Sequence, residues 1–190
     1  MKGFKEYLTE ENGKPKIIMI GGPGAGKSTY SEIISKELNI PHIYTGDMMR
    51  DLAKKDTPEG RKVKELVSKG EFAPLDIVIK AVKSRISEPD AKGGYILDGF
   101  PRNIEQAEMM DKENIQYDKV INLVVSQEEV IKRLTARGRK DDKPEIIKNR
   151  IRIYNKETKP LLDYYKTEVI NVKAEGGEPE DIAKEIIRKL

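Results

Sequence analysis

Between residues 21 and 29 the chain reads Gly21-Gly22-Pro23-Gly24-Ala25-Gly26-Lys27-Ser28-Thr29. Glycines at this density free the backbone to adopt conformations in which successive N–H groups turn inward and can meet phosphate oxygens. Lys27 supplies a point charge able to reach outer phosphates, and the Ser28 hydroxyl can ligand Mg²⁺. Glycine turns alone are commonplace. Here an apolar run, Lys16 to Ile20, precedes the loop, and Ile33, Ile34 and Leu38 follow at helical spacing. Strand, glycine loop and helix form the context in which a P-loop cradles a nucleotide triphosphate, with the helix dipole adding positive potential.

Two further groups of residues could act on the same phosphates. Leu97-Asp98-Gly99-Phe100-Pro101-Arg102 places a carboxylate at the end of an apolar run, then a stiff turn that aims a guanidinium. An Asp at a strand's carboxyl end faces the crevice where α/β sheets bind ligands, and there it can order Mg²⁺ and its waters; a plain turn-forming Asp is the competing reading. Arg102 suits bidentate phosphate binding. Arg133, Arg137, Arg139, Arg150 and Arg152 form the second group, with Asp141 and Asp142 among them. Arg133 and Arg137 share a helix face. They form either a solvated basic surface or a set of phosphate clamps. The polar break from Arg137 to Asp142 reads as a loop between helices that could fold over a phosphate site.

The elements that must position these groups alternate in type. Apolar runs at 16–20, 42–44, 95–97, 120–125 and 169–172 predict strands. Helical patterns lie at 31–38, 47–55, 58–68, 74–86, 126–135 and 144–165, with Pro160 expected to break the last one. A further amphipathic helix carries Ile182, Ile186, Ile187 and Leu190. Ser126 and Glu129 have the spacing of a capping box. Strands alternating with helices predict an α/β fold with a parallel sheet covered on both faces. Residues 1–15 are polar and read as an N-terminal extension whose Phe4, Tyr7 and Leu8 could pack on the core.

Composition removes other classes. The 190 residues suffice for one domain with small inserts, and 36 basic against 33 acidic residues give a net charge of only +3. That balance gives no reason to invoke nucleic acid or an anionic membrane surface. No cysteine is present and histidine occurs once, as His42, so disulfides, thiolate zinc and histidine metal clusters are excluded. His42 reads as structural. With no apolar run near the ~20 residues that span a bilayer and no signal-peptide pattern, a soluble cytoplasmic protein is expected.

Taken in order, GGPGAGKST (21–29), YTGDMMR (44–50), SKGEFAP (68–74), LDGFPRNIEQAE (97–108), RLTARGRKDD (133–142) and NRIRIYNKETKPLLDYY (149–165) resemble the adenylate kinases, within the nucleoside monophosphate kinases. The resemblance runs from about residue 16 to the C-terminus. It implies a P-loop NTPase fold with a five-stranded parallel sheet. Core segments 16–43, 74–136 and 143–190 would flank an NMP-binding segment at 44–73 and a lid at 137–142. The lid would be very short and without zinc, since only Gly138 separates Arg137 from Arg139. The implied reaction is ATP + AMP ⇌ 2 ADP with Mg²⁺, carried out by a monomer whose partners are ATP, AMP and ADP, without nucleic acid or membrane.

For the donor, the resemblance implies Gly24, Ala25, Gly26, Lys27, Ser28 and Thr29, with Arg133, Arg137 and the backbone of Glu178 beside the base. For the acceptor it implies Thr45, Arg50, Glu71, Phe72, Ala73, Gly99, Phe100, Pro101, Arg102 and Gln106, with Arg139 and Arg150. Catalytic weight falls on Lys27, Arg102, Arg137, Arg139 and Arg150. Mg²⁺ would be held by Ser28 and, through water, by Asp98 and Asp47, while Asp141 and Asp142 anchor the lid arginines. Asn103 leaves UMP/CMP kinase open, because those relatives often carry Asn there. Thr45 and Gln106 favour AMP. A nucleotide-binding regulator without turnover is the third reading, and the retained set of phosphate-binding arginines argues against it. An acceptor phosphate is already largely dianionic at neutral pH, its second pKa being about 6, so the chemistry calls for charge neutralisation and no general base.

Overall fold

The computed structural model describes residues 13–138 and 143–190. Strand β1 (Lys16–Gly21) is followed by helix α1 (Lys27–Leu38), β2 (His42–Tyr44), α2 (Thr45–Ala53), α3 (Pro58–Ser68) and α4 (Leu75–Ile86). Then come β3 (Tyr95–Asp98), α5 (Ile104–Lys112), β4 (Lys119–Val124), α6 (Gln127–Arg137) and α7 (Pro144–Ile153). The chain ends with α8 (Leu161–Tyr164), β5 (Val169–Lys173) and α9 (Pro179–Lys189).

The five strands pair in parallel in the order β2-β3-β1-β4-β5. Because side chains alternate across each strand, β-branched runs buried on both faces split into two cores. Ile18, Ile20, Leu97 and Val120 face one side, under Met49, Val78, Val82, Met110 and Leu161. Ile17, Met19, Ile96, Ile121 and Leu123 face the other, under Ile34, Leu38, Ile182 and Ile186. Gly21, Tyr44, Asp98 and Val124 end four of the strands at their carboxyl edge, where ligands of such sheets bind. No helix among the described residues is long and apolar enough to cross a membrane.

All five expected strands are present, each within two residues of its expected limits. Helix α1 starts at Lys27, ahead of the apolar pattern, because the loop itself delivers the chain into the helix. The pattern over 144–165 is interrupted earlier than Pro160 requires: α7 stops at Ile153, a wide π-type turn covers Tyr154–Thr158, and Pro160 precedes α8. Helix α5 is a helix that the apolar pattern does not predict. Asn103 starts it, its Oδ1 accepting from the Gln106 N–H at 2.9 Å, so a residue read for specificity is a helix cap. Ser126 caps α6 through the Glu129 N–H at 3.4 Å, but the Glu129 carboxylate pairs with Arg133 and completes no box. The extension before Gly13, with Phe4, Tyr7 and Leu8, lies outside the described residues.

Ile96 is fully buried in β3, beside the strand that carries the loop. Ile96→Ala is expected to cost about 2–5 kcal/mol, read as a lower urea midpoint at unchanged m-value. A loss below about 1 kcal/mol would contradict the packing described.

Candidate active site

The glycine loop is built by its backbone. Gly26 adopts a left-handed conformation at φ 91° as the residue before α1, and no side chain caps that helix. Its first N–H groups therefore point into the loop without a side-chain acceptor, an arrangement suited to an anion. Gly24, at φ +79°, packs the loop against α6: a Cβ there would lie 2.9 Å from Leu134 Cγ and 3.0 Å from the Val130 carbonyl. Lys27 folds back over the loop, its Nζ donating to the carbonyls of Gly21 at 2.6 Å and Gly22 at 3.0 Å. Burial pulls the Lys27 pKa below its ordinary value, with Asp98 opposing the shift.

Asp98 ends β3 with no exposed surface. Its Oδ2 accepts from the Ser28 hydroxyl at 2.7 Å and lies 3.2 Å from His42 Nε2. Oδ1 is buried and has no hydrogen-bond partner among the described residues. Burial alone would raise this carboxyl's pKa. His42, Lys27 and Ser28 together outweigh burial, and the value lies below the usual one.

Beyond Asp98, the turn is held from several sides. Thr45 Oγ1 donates to the Gly99 carbonyl at 2.7 Å, and Arg102 Nε donates to the same carbonyl at 2.6 Å. The Arg102 N–H donates to Gln106 Oε1 at 2.7 Å, and Thr158 Oγ1 donates to the Arg102 carbonyl at 2.7 Å. The Arg102 guanidinium lies 5.7 Å from the centre of the Phe72 ring. Burial lowers its pKa, but a guanidinium stays charged throughout the physiological range.

These groups line a cavity of about 380 Å³, in the range of small-ligand pockets. Gly24, Gly26, Lys27, Ser28 and Thr29 line one part of it, with Arg133 and Arg137 from α6. A smaller cavity of about 70 Å³ opens beside it, lined among others by Thr45, Arg50, Glu71, Phe72, Ala73 and Gln106. Gly99, Arg102 and Arg150 belong to both linings. Arg133 is braced by Glu129 at 2.8 Å and by the Ala174 carbonyl at 2.9 Å. Helix α7 reaches both cavities through Arg150, and its Asn149 Nδ2 donates to the Lys69 carbonyl at 2.8 Å.

Not every expected residue joins this assembly. Pro101 lines the larger cavity, whereas Phe100 is wholly buried in the core and anchors the turn from beneath. Ala25 is likewise buried behind the loop. Asp47 is 65% exposed, pairs with Arg50 at 2.5 Å and lines neither cavity. Glu178 is exposed at the start of α9 and lies outside both linings. Arg139, Asp141 and Asp142 fall outside the described residues. Among residues given no functional role by the sequence, His42 lies against Asp98, Tyr44 belongs to both linings, Tyr154 lies against Gly22, and Thr158 sits under Arg102. The three aromatic rings have no spacing signal that separates a cleft position from a core one.

The depressed Asp98 pKa fixes a direction for acid stability. A carboxyl whose folded pKa lies below its unfolded value of about 3.9 stabilises the fold above that value. The contribution is lost as pH falls through the folded pKa. The urea midpoint of the wild type should therefore fall more steeply below about pH 4 than that of Asp98→Asn. Equal slopes would contradict the balance of partners around Asp98.

A sequence model described as adenylate kinase matches residues 19–170. The chain is 41% identical over 173 residues to an adenylate kinase of Corynebacterium urealyticum, covering 89% of this chain and 95% of that one. It is 38% identical over 179 residues to that of Nocardia farcinica, covering 92% and 98%. The adenylate kinase of Caldicellulosiruptor bescii is 39% identical over an alignment of 211 residues, covering 92% and 98%. With the glycine loop, the strand-end aspartate and the two cavities walled by arginines, these matches show that the chain belongs to the adenylate kinase family.

Proposed function

We propose that the larger cavity takes ATP and the smaller takes AMP in the reaction ATP + AMP ⇌ 2 ADP. The observation that carries this assignment is the shared wall. Arg102 and Arg150 line both cavities, and only the larger one has the P-loop, as expected for a donor triphosphate facing an acceptor monophosphate.

In this reading the loop N–H groups and Lys27 bind the donor phosphates. On binding, Lys27 exchanges its two loop carbonyls for phosphate oxygens. Arg133 and Arg137 flank the donor, and the backbone at Glu178 lies toward its base. Thr45 and Gln106 recognise the acceptor adenine: both are almost fully buried, at 2% and 4% exposure, so an unmatched base edge there is costly. Gln106 already spends its Oε1 on the Arg102 N–H, which leaves its amide N–H₂ for a ring nitrogen. Arg50, Arg102 and Arg150 hold the acceptor phosphate, with Asp47 bracing Arg50. The roles of Arg139, Asp141 and Asp142, and of a lid at 137–142 over a segment at 44–73, rest on their places in the motifs.

The polar groups fit Mg²⁺. Asp98 Oδ1 is a buried acceptor without a partner among the described residues, and Ser28 Oγ donates to the other oxygen of the same carboxylate. No cage of three or more acidic, histidine or cysteine side chains exists among the described residues. That suits an ion held mainly by phosphates and waters. Ser28 would ligate it and Asp98 would order its waters. When bound, Mg²⁺ neutralises charge between the donor phosphates. The acceptor oxygen needs no base, so the side chains supply alignment and charge.

Two outcomes test this. In a coupled assay with ATP, AMP is expected to be the best acceptor among AMP, CMP, UMP and GMP; preference for CMP or UMP would overturn the assignment of Thr45 and Gln106. Lys27→Ala should lower kcat by about 10²–10³-fold with an unchanged melting curve, and near wild-type turnover would refute the role of Lys27.

A further inference from the structure

Tyr44 ends β2 at the point where the two cavities meet, and nothing above gives it work to do. Its ring is fixed from three directions. It stacks on the His42 ring with centroids 5.9 Å apart and planes 13° from parallel. It lies against Gly46, where an added Cβ would come within 2.7 Å of the ring. The Arg50 guanidinium covers it at 5.1 Å from the centroid, within cation–π range. The phenol also stands within electrostatic reach of Arg50, Lys27 and Arg102.

The side chains on the shared wall that can bond a phosphate are Arg102, Arg150 and Tyr44. We propose that Tyr44 is a further acceptor-binding residue, whose hydroxyl donates a hydrogen bond to the AMP phosphate while its ring holds Arg50 in place. Arg50 meets the ring, so its support is compatible with the hydroxyl donating to a phosphate oxygen. A neutral donor among arginines adds direction without adding to their mutual repulsion. The inference rests on the smaller cavity being the acceptor site.

Tyr44→Phe separates the two contributions, since it retains the ring on His42, Gly46 and Arg50 and removes only the hydroxyl. It should raise KM for AMP about tenfold, the size of one hydrogen bond to a charged group, and leave KM for ATP within about twofold. Inhibition by adenosine, which lacks the phosphate, should be unchanged. Tyr44→Leu, which also removes the support of Arg50, should raise KM for AMP further. An unchanged KM for AMP in Tyr44→Phe would overturn the proposal. So would equal weakening of AMP and adenosine, or parallel rises in KM for AMP and ATP, because each marks a purely structural residue. Wild-type protein that made no ADP from ATP and AMP would remove the acceptor assignment itself; an active wild type with an unaffected Tyr44→Phe removes only the role of Tyr44.

Discussion

A buried carboxylate at the end of a central strand must be matched by its surroundings, or its desolvation works against the fold. Asp98 is matched by Ser28 at 2.7 Å, by His42 at 3.2 Å and by the nearby charge of Lys27. These partners come from α1 and β2. The carboxylate thereby ties the phosphate loop to the neighbouring strands, and its second oxygen is buried without a hydrogen-bond partner among the described residues. Loop geometry and the start of the arginine turn both follow from where this one group sits.

The same economy of position runs along the wall between the two cavities. Gly99 uses a single carbonyl to fix both Thr45 and Arg102. Arg102 is held in turn by Phe72, Gln106 and Thr158, from four different parts of the chain counting its own. Such cross-bracing keeps a guanidinium aimed before any ligand arrives. Preorganised charge of this kind stabilises a transferring phosphoryl group without reorganisation at the moment of reaction.

Much of this was legible in the residues, because its causes are local. β-branched runs buried on both faces mark the strands, and Gly-x-x-x-x-Gly-Lys-Ser marks the loop through its own backbone freedom. What escaped depends on strand pairing, on short elements and on which way a side chain turns. His42 meets Asp98 only because β2 pairs with β3, and Asn103 caps a short helix that lacks a strong apolar stripe. Asp47 sits in a family motif, yet in the fold it turns outward to Arg50. Tyr44 is a cleft residue through sheet register, with Asp98 as its strand partner, and no sequence period encodes that.

Two nucleotide sites on one chain, divided by a wall of arginines, are the arrangement we propose. Calorimetric titration of AMP into protein saturated with Mg²⁺ and a non-hydrolysable ATP analogue tests it directly. One AMP should bind per chain with the analogue still in place. Displacement of the analogue by AMP, or no AMP binding once the analogue is bound, would contradict the account.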